Sequence, residues 1–207
     1  MRAVFLDVGE TLVNEDRYWR EIAATAGLDA HIVLAALGVT IACGEDHTEL
    51  WRHLGVESPP RVGDVLYTQE DLYPDALACL EALRGLALTI GVAGNQSAEL
   101  ERWTREAGLP VDVIGSSVSW GVRKPKREFF ERMVVEAGCE PNELAYVGDR
   151  VDNDVVPALE AGLLAVHIRR GPWGTLQHAP PEALVVESLS ELPALLAPGH
   201  SASSRAR

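Results

Sequence analysis

Lysine is nearly absent from this chain. Of its 207 residues only Lys124 and Lys126 are lysines, and lysine plus arginine total 18 against 31 acids, a formal charge of −13. A nucleic-acid surface needs a basic stripe, and none is present, so no nucleic-acid partner is expected. Cysteine is equally scarce. Cys43, Cys79 and Cys139 are odd in number and form no CxxC pair, which argues against a disulfide framework or a thiolate zinc site. They read as reduced thiols, two of them packed on helices. No apolar run approaches the roughly 20 residues of a membrane span; the longest weakly polar stretch is 32–43. The opening apolar run is closed by Asp7, too soon for a secretory signal. These absences lead us to expect a cytoplasmic protein that does not engage a membrane.

What remains is ordinary globular composition, 47% hydrophobic and 24% charged, with enough chain for a sizeable core. Short continuous apolar runs recur at 3–6, 86–93, 111–114, 144–147 and 164–168, with Val185-Val186 as an edge piece. Such runs suit strands buried on both faces of a parallel sheet. Helical patterns lie between them. Leu77, Leu80 and Leu83 share a face, 99–107 follows Ser97 as a cap, 126–137 turns Phe129, Phe130, Met133 and Ala137 inward, and 154–161 carries Pro157 in its first turn. Alternating strand and helix predicts an α/β fold, a doubly wound parallel sheet of Rossmann type.

The interval 14–73 breaks this rhythm. It reads as helices at 16–26, 30–37 and 47–54 followed by a Pro59-Pro60 turn, too much chain for one crossover, where a dozen residues suffice. The expected organisation is therefore a core of 1–13 and 74–197, a small all-helical cap of 14–73, and a disordered tail of 198–207.

Ligands of open α/β sheets bind outside the carboxyl ends of the strands. Asp7, Gly94-Asn95 and Asp149 with Asp152, Asn153 and Asp154 all fall at such ends, and Lys124 lies in the loop after the third strand. Carboxylates with a backbone carbonyl are the donors Mg²⁺ prefers. A carboxylate beside that metal can attack phosphorus, and a lysine can offset the phosphate charge.

Four segments in order, DVGETL at 7–12, IGVAGNQ at 90–96, GVRKPKREFF at 121–130 and YVGDRVDND at 146–154, resemble the motifs of the haloacid dehalogenase-like hydrolases. The YPDA step at 73–76 is similar to the family's re-entry from cap to core. The resemblance covers roughly residues 1–170 and belongs to the branch with a helical cap inserted after the first motif. It implies a Mg²⁺-dependent phosphohydrolase acting on a small phosphorylated metabolite through an aspartyl-phosphate intermediate. It further implies Asp7 as nucleophile, Asp7, the Gly9 carbonyl and Asp149 as metal ligands with Asp154 in the metal shell or orienting Lys124, Lys124 as electrostatic clamp, Thr11 as a loop stabiliser, and Asn95 and Gly94 as phosphate contacts.

Two departures from the family pattern bear on chemistry. Most phosphatases of the family carry an aspartate two residues after the nucleophile as general acid and base; here Gly9 stands there, and glycine cannot move a proton. The usual Ser or Thr of the second motif is Gly94, whose backbone N–H is left to meet the phosphate. Glu10 is the nearest acid. On extended backbone it faces away from Gly9's side of the chain, whereas a bend in the loop would bring it in as the acid. Without an acid, substrates with good leaving groups are expected to be favoured. Alternative readings are a catalytically weak binding or regulatory protein on the same scaffold, and a 2-haloacid dehalogenase, which needs no metal. Phosphonoacetaldehyde-type hydrolases require a cap lysine, and this interval has none. In the cap, Arg17 and Arg20 are candidate anion contacts and Trp19, Trp51, His47 and His53 candidate packing or pocket residues. The segment 171–174 is expected as a rigid loop with Trp173 at the pocket rim.

Overall fold

The computed structural model describes residues 1–60 and 65–197; the tail expected at 198–207 lies outside the described residues. Strand β1 (Ala3–Leu6) leads into three helices, α1 (Asp16–Thr25), α2 (Ala30–Ala42) and α3 (Glu49–His53). The chain continues through α4 (Ala76–Arg84), β2 (Thr89–Gly94), α5 (Ala98–Glu106), β3 (Val113–Ser116), α6 (Ser117–Trp120) and α7 (Arg127–Ala137). It ends with β4 (Leu144–Gly148), α8 (Val156–Glu160), β5 (Leu164–Ile168), α9 (Gly171–Leu176), β6 (Leu184–Val186) and α10 (Leu192–Leu196). The six strands form one sheet in the order β3-β2-β1-β4-β5-β6, every pair parallel. This is the expected α/β, Rossmann-like architecture. No single helix among the described residues is long and apolar enough to cross a membrane.

Strand alternation sorts the core into two layers. Val4, Leu6, Ile90, Val92, Val147 and Val166 face one way, onto Leu80 and Leu83 of α4 and Leu192 of α10. Phe5, Tyr146 and Ala165 face the other way, onto Phe129, Phe130 and Met133 of α7 and Ala158 of α8. The chain order reverses at β1, which lies between β2 and β4. Leu6 is in register with Val92 and with Val147, so Asp7, Gly94 and Asp149 emerge together at the carboxyl edge. That is where a doubly wound sheet binds its ligand.

Several boundaries differ from the sequence reading. Leu86 and Ala87 belong to the turn after α4, Ala87 with φ 56°, so β2 starts later. Helix α2 runs through Gly38 to Ala42 because its apolar face continues to Ile41. On α4 the inward residues are Ala76, Cys79, Leu80 and Leu83, while Leu77 is exposed. A π-helical turn, Val151–Val155, precedes α8 where a continuous helix was expected, and 171–174 opens helix α9 instead of a loop. The three cysteines are free, with Cys79 on α4 and the others just past α2 and α7.

One cluster ties the re-entry segment to the sheet. Asp75 accepts from Arg170 Nη1 at 3.1 Å and Nη2 at 2.7 Å, from Ser188 Oγ at 2.7 Å and from the Leu189 amide at 3.0 Å. Arg170 also donates to the Thr11 carbonyl at 3.2 Å and stacks 4.1 Å from the Tyr73 ring. Burial pushes the Asp75 carboxyl up, but these donors outweigh it and hold it below the ordinary carboxylate range. A depressed native pKa stabilises the fold above the unfolded value, near pH 4, and the contribution fades as pH falls through the native pKa. Asp75→Ala leaves Arg170 largely buried without its partner. The expected cost is about 2–4 kcal/mol by urea unfolding at neutral pH, narrowing toward acid. Equal stability of wild type and variant at pH 7 contradicts the assignment.

Candidate active site

The loop between α6 and α7 delivers Lys124 to the sheet edge. Its main chain is clamped by Asn95, whose Oδ1 accepts from the Lys124 amide at 2.9 Å and whose Nδ2 donates to the Lys124 carbonyl at 3.0 Å. The side chain then runs inward and is 1% exposed. Lys124 Nζ lies 2.8 Å from Asp7 Oδ2 and 2.6 Å from Asp154 Oδ1. It also donates to the Tyr146 hydroxyl at 3.0 Å, which donates in turn to the Ala93 carbonyl at 3.0 Å. Burial alone would lower the ammonium's pKa; Asp154 and Asp7 outweigh it and hold it above its usual value.

Asp149 completes the cluster. Carboxylate oxygens of Asp7, Asp149 and Asp154 lie within 4.8 Å of one another. Among the described residues no cation pairs with Asp149, and burial followed by repulsion from Asp154 and Asp7 pushes its carboxyl well up. Asp154 is pushed to about 6 by burial, opposed by Lys124. Three buried carboxylates against one ammonium leave a net negative site made only of hard oxygen donors. That set fits a divalent cation of the Mg²⁺ type.

Asp7, Lys124 and Asp149 line a cavity of about 1050 Å³ that also touches α1 and the segment around α3, with Asp154 buried behind them. Trp19, Trp51, His47 and Trp173 all line it. Trp173 is buried, with the Arg150 guanidinium 4.7 Å over its ring and His47 edge-on at 6.3 Å. Burial lowers the His47 pKa, against the pull of Asp46. His53 instead bonds Glu45 at 2.5 Å. Arg17 grips Asp71 at 2.6 and 2.9 Å and Arg20 pairs with Asp16 at 3.8 Å. Neither arginine reaches the cavity, where the cations among the described residues are Arg123, Lys124, Lys126 and Arg150.

The sequence model of haloacid dehalogenase-like hydrolases matches residues 1–162. The chain belongs to this family. A glyceraldehyde 3-phosphate phosphatase from Methanocaldococcus jannaschii is 31% identical over 124 residues, 58% of this chain and 54% of that protein, so the match spans about half that relative. Its counterpart from Methanopyrus kandleri is 26% identical over 86% of this chain and 88% of its own length. Among solved structures, a haloacid dehalogenase-like (HAD) phosphatase from Thermococcus onnurineus superposes with TM-score 0.64 at 21% identity, covering 95% of this chain and 98% of that one. L-2-haloacid dehalogenase from Xanthobacter autotrophicus gives 0.67 at 20%, covering 97% and 100%. At such identities these two structures share the fold.

Of the residues singled out in this HAD-family sequence, Asp7, Lys124, Asp149 and Asp154 converge, and Gly9, Gly94 and Asn95 border them. Asn95 spends its carbonyl oxygen and one amide hydrogen on Lys124, leaving one hydrogen for a ligand. Gly94 is in close contact: a Cβ there would fall 2.4 Å from Asp7 Oδ1, so glycine lets the carboxylate lie against the backbone. The Thr11 hydroxyl is fully buried without a hydrogen-bond partner among the described residues; its loop is tied through the main chain, by the Arg170 contact.

Glu10 departs from the orientation argument because its backbone is left-handed, φ 48°, and not extended. Its Oε2 accepts from the Tyr73 hydroxyl and its Oε1 from the Glu15 amide at 3.2 Å. Burial raises its pKa. Sequence reasoning missed Tyr146 and Glu15. Tyr146 was legible as the one hydroxyl inside an apolar strand. Glu15 carried no signal in its spacing, yet it lines the cavity, accepts from the Tyr67 hydroxyl, and is pushed to about 7 by burial and by Glu10 and Asp7.

Lys124→Met removes the only ammonium among these carboxylates while keeping side-chain bulk. The expected loss of stability is about 3–5 kcal/mol at neutral pH, from uncompensated buried charge. Denaturant unfolding checks it, and an unchanged midpoint contradicts the clamp.

Proposed function

We propose that this chain is a divalent-metal-dependent phosphohydrolase of small phosphorylated metabolites that works through an aspartyl phosphate. The observation that carries the reading is the Lys124 ammonium held between Asp7 and Asp154 beside Asp149, which pairs with no cation among the described residues, on the floor of a cavity. The names of the phosphatase relatives support it.

Asp7 Oδ attacks phosphorus as the bond to the leaving oxygen breaks. Water then attacks the phosphoryl group, the bond to Asp7 breaks, and inorganic phosphate leaves with the carboxylate restored. Lys124 fixes the Asp7 carboxylate and neutralises charge that grows on the phosphoryl oxygens. Asp7, the Gly9 carbonyl, Asp149 and Asp154 would hold Mg²⁺, which when bound supplies Lewis-acid neutralisation of the phosphoryl charge. The helical segment 14–73 acts as the cap, contributing Trp19, His47 and Trp51 to the substrate wall and excluding water.

The dehalogenase reading is weaker. Displacing halide from carbon needs one carboxylate and no metal, not a cluster of three carboxylates of which only Asp7 and Asp154 contact Lys124.

Phosphate release from a panel of phosphorylated metabolites is expected to stop in chelator and return with Mg²⁺. Asp7→Asn is expected to abolish turnover while leaving the melting curve cooperative, since it removes the nucleophile at nearly constant volume. Turnover that survives in chelator, or halide release from a 2-haloacid in place of phosphate release, contradicts the reading.

A further inference from the structure

Position 9 lacks a side chain, but the space is filled. Gly9 is not among the residues with a left-handed backbone, so its conformation does not demand glycine. Space does: a Cβ built on Gly9 would lie 2.4 Å from Glu15 Oε1 and 3.0 Å from its Cδ. The Glu15 carboxylate therefore occupies the volume that a side chain at position 9 would enter. It faces the same cavity as Asp7, Lys124 and Asp149.

The carboxylate is also held. Glu15 immediately precedes α1, and its amide donates to Glu10 Oε1 at 3.2 Å. The Tyr67 hydroxyl donates to Glu15 Oε1, and the Tyr67 ring is wedged between Tyr18 at 5.8 Å and Trp103 at 5.4 Å. Glu10 also lines the cavity, but both of its oxygens already accept, from Tyr73 and from the Glu15 main chain, and it is Glu15, not Glu10, that fills the space at position 9. Glu10 is a positioning residue for Glu15.

We propose that Glu15 is the general acid and base of the reaction, supplying from the start of the first cap helix the carboxyl group that position 9 lacks. The proposal rests on the aspartyl-phosphate reading above. As the Asp7–phosphorus bond forms and the bond to the leaving oxygen breaks, the Glu15 carboxyl passes its proton to that oxygen. In the second half the Glu15 carboxylate takes a proton from the attacking water, whose oxygen bonds phosphorus while the Asp7 bond breaks. The proton is returned to Glu15 and the cycle closes. With this acid in place, the restriction to good leaving groups that Gly9 alone would impose is lifted.

The test uses kcat/KM for 4-nitrophenyl phosphate, phenyl phosphate and 2-glycerophosphate in Mg²⁺, for wild type, Glu15→Gln, Gly9→Asp, Glu15→Ala, the double variant Gly9→Asp/Glu15→Ala, and Asp7→Asn. Wild type is expected to show a shallow dependence on leaving-group pKa. Glu15→Gln keeps the Tyr67 contact and is expected to lose on the order of 10²–10³-fold on the alkyl ester. Its loss on the nitrophenyl ester is expected to be less than about tenfold, because a good leaving group needs no proton. That retained aryl turnover certifies the fold. Gly9→Asp alone meets Glu15 and gains nothing, whereas the double variant, with the space opened, is expected to recover about tenfold or more of the alkyl activity lost in Glu15→Ala. An equal loss on all three esters in Glu15→Gln, or no loss on any, overturns the role of Glu15. If Asp7→Asn is dead in either of those cases, the aspartyl-phosphate reading stands without it. Turnover surviving in Asp7→Asn overturns that reading and the assignment of Glu15 together.

Discussion

An ammonium group sealed between carboxylates sets the terms for the rest of this molecule. Lys124 is 1% exposed and sits within ion-pair distance of Asp7 and Asp154. Removing one partner from such a cluster leaves a charge that water cannot reach, which costs more than the pair contributes when intact. The surroundings must therefore hold it closely. Asn95 fixes the lysine main chain from the end of one strand, Tyr146 takes a further Nζ hydrogen from the next but one, and the Ala93 carbonyl anchors Tyr146. All three depend on β1, β2 and β4 lying side by side in register, so sheet order and site geometry are one constraint.

The same constraint explains where glycine is used. At position 94 a side chain would displace Asp7, and at position 9 it would meet Glu15. Both substitutions against the family pattern make room for a carboxylate. The first lets Asp7 lie on the strand end. The second admits the Glu15 carboxylate from just before α1, so the acidic groups that line the cavity come both from the sheet edge and from the start of that helix.

Much of this was legible in the chain. Continuous apolar runs gave the parallel sheet, and the order of the four motif segments anticipated that Asp7, Lys124, Asp149 and Asp154 would meet. Spacing along the chain reports such convergence well, because strand ends of a doubly wound sheet share one edge. It reports irregular backbone poorly. Glu10 was assigned a direction from extended geometry, but its φ is 48°, and no period in the sequence encodes that. Leu77 is exposed because the helix turned its Ala76–Leu80–Leu83 stripe to the sheet; leucine identity outweighed phase in the reading. Glu15 was invisible for a different reason. Its significance lies in a contact with a glycine, and a missing side chain leaves no pattern to find.

The central claim is a double displacement at phosphorus through Asp7. Its most direct test is the stereochemical course of hydrolysis of a phosphate ester made chiral at phosphorus with oxygen isotopes. Each in-line displacement inverts the centre, so two in sequence restore it. The account predicts net retention of configuration, whether or not the intermediate accumulates. Net inversion would mean that water attacks the substrate directly, and the role given to Asp7 would be wrong.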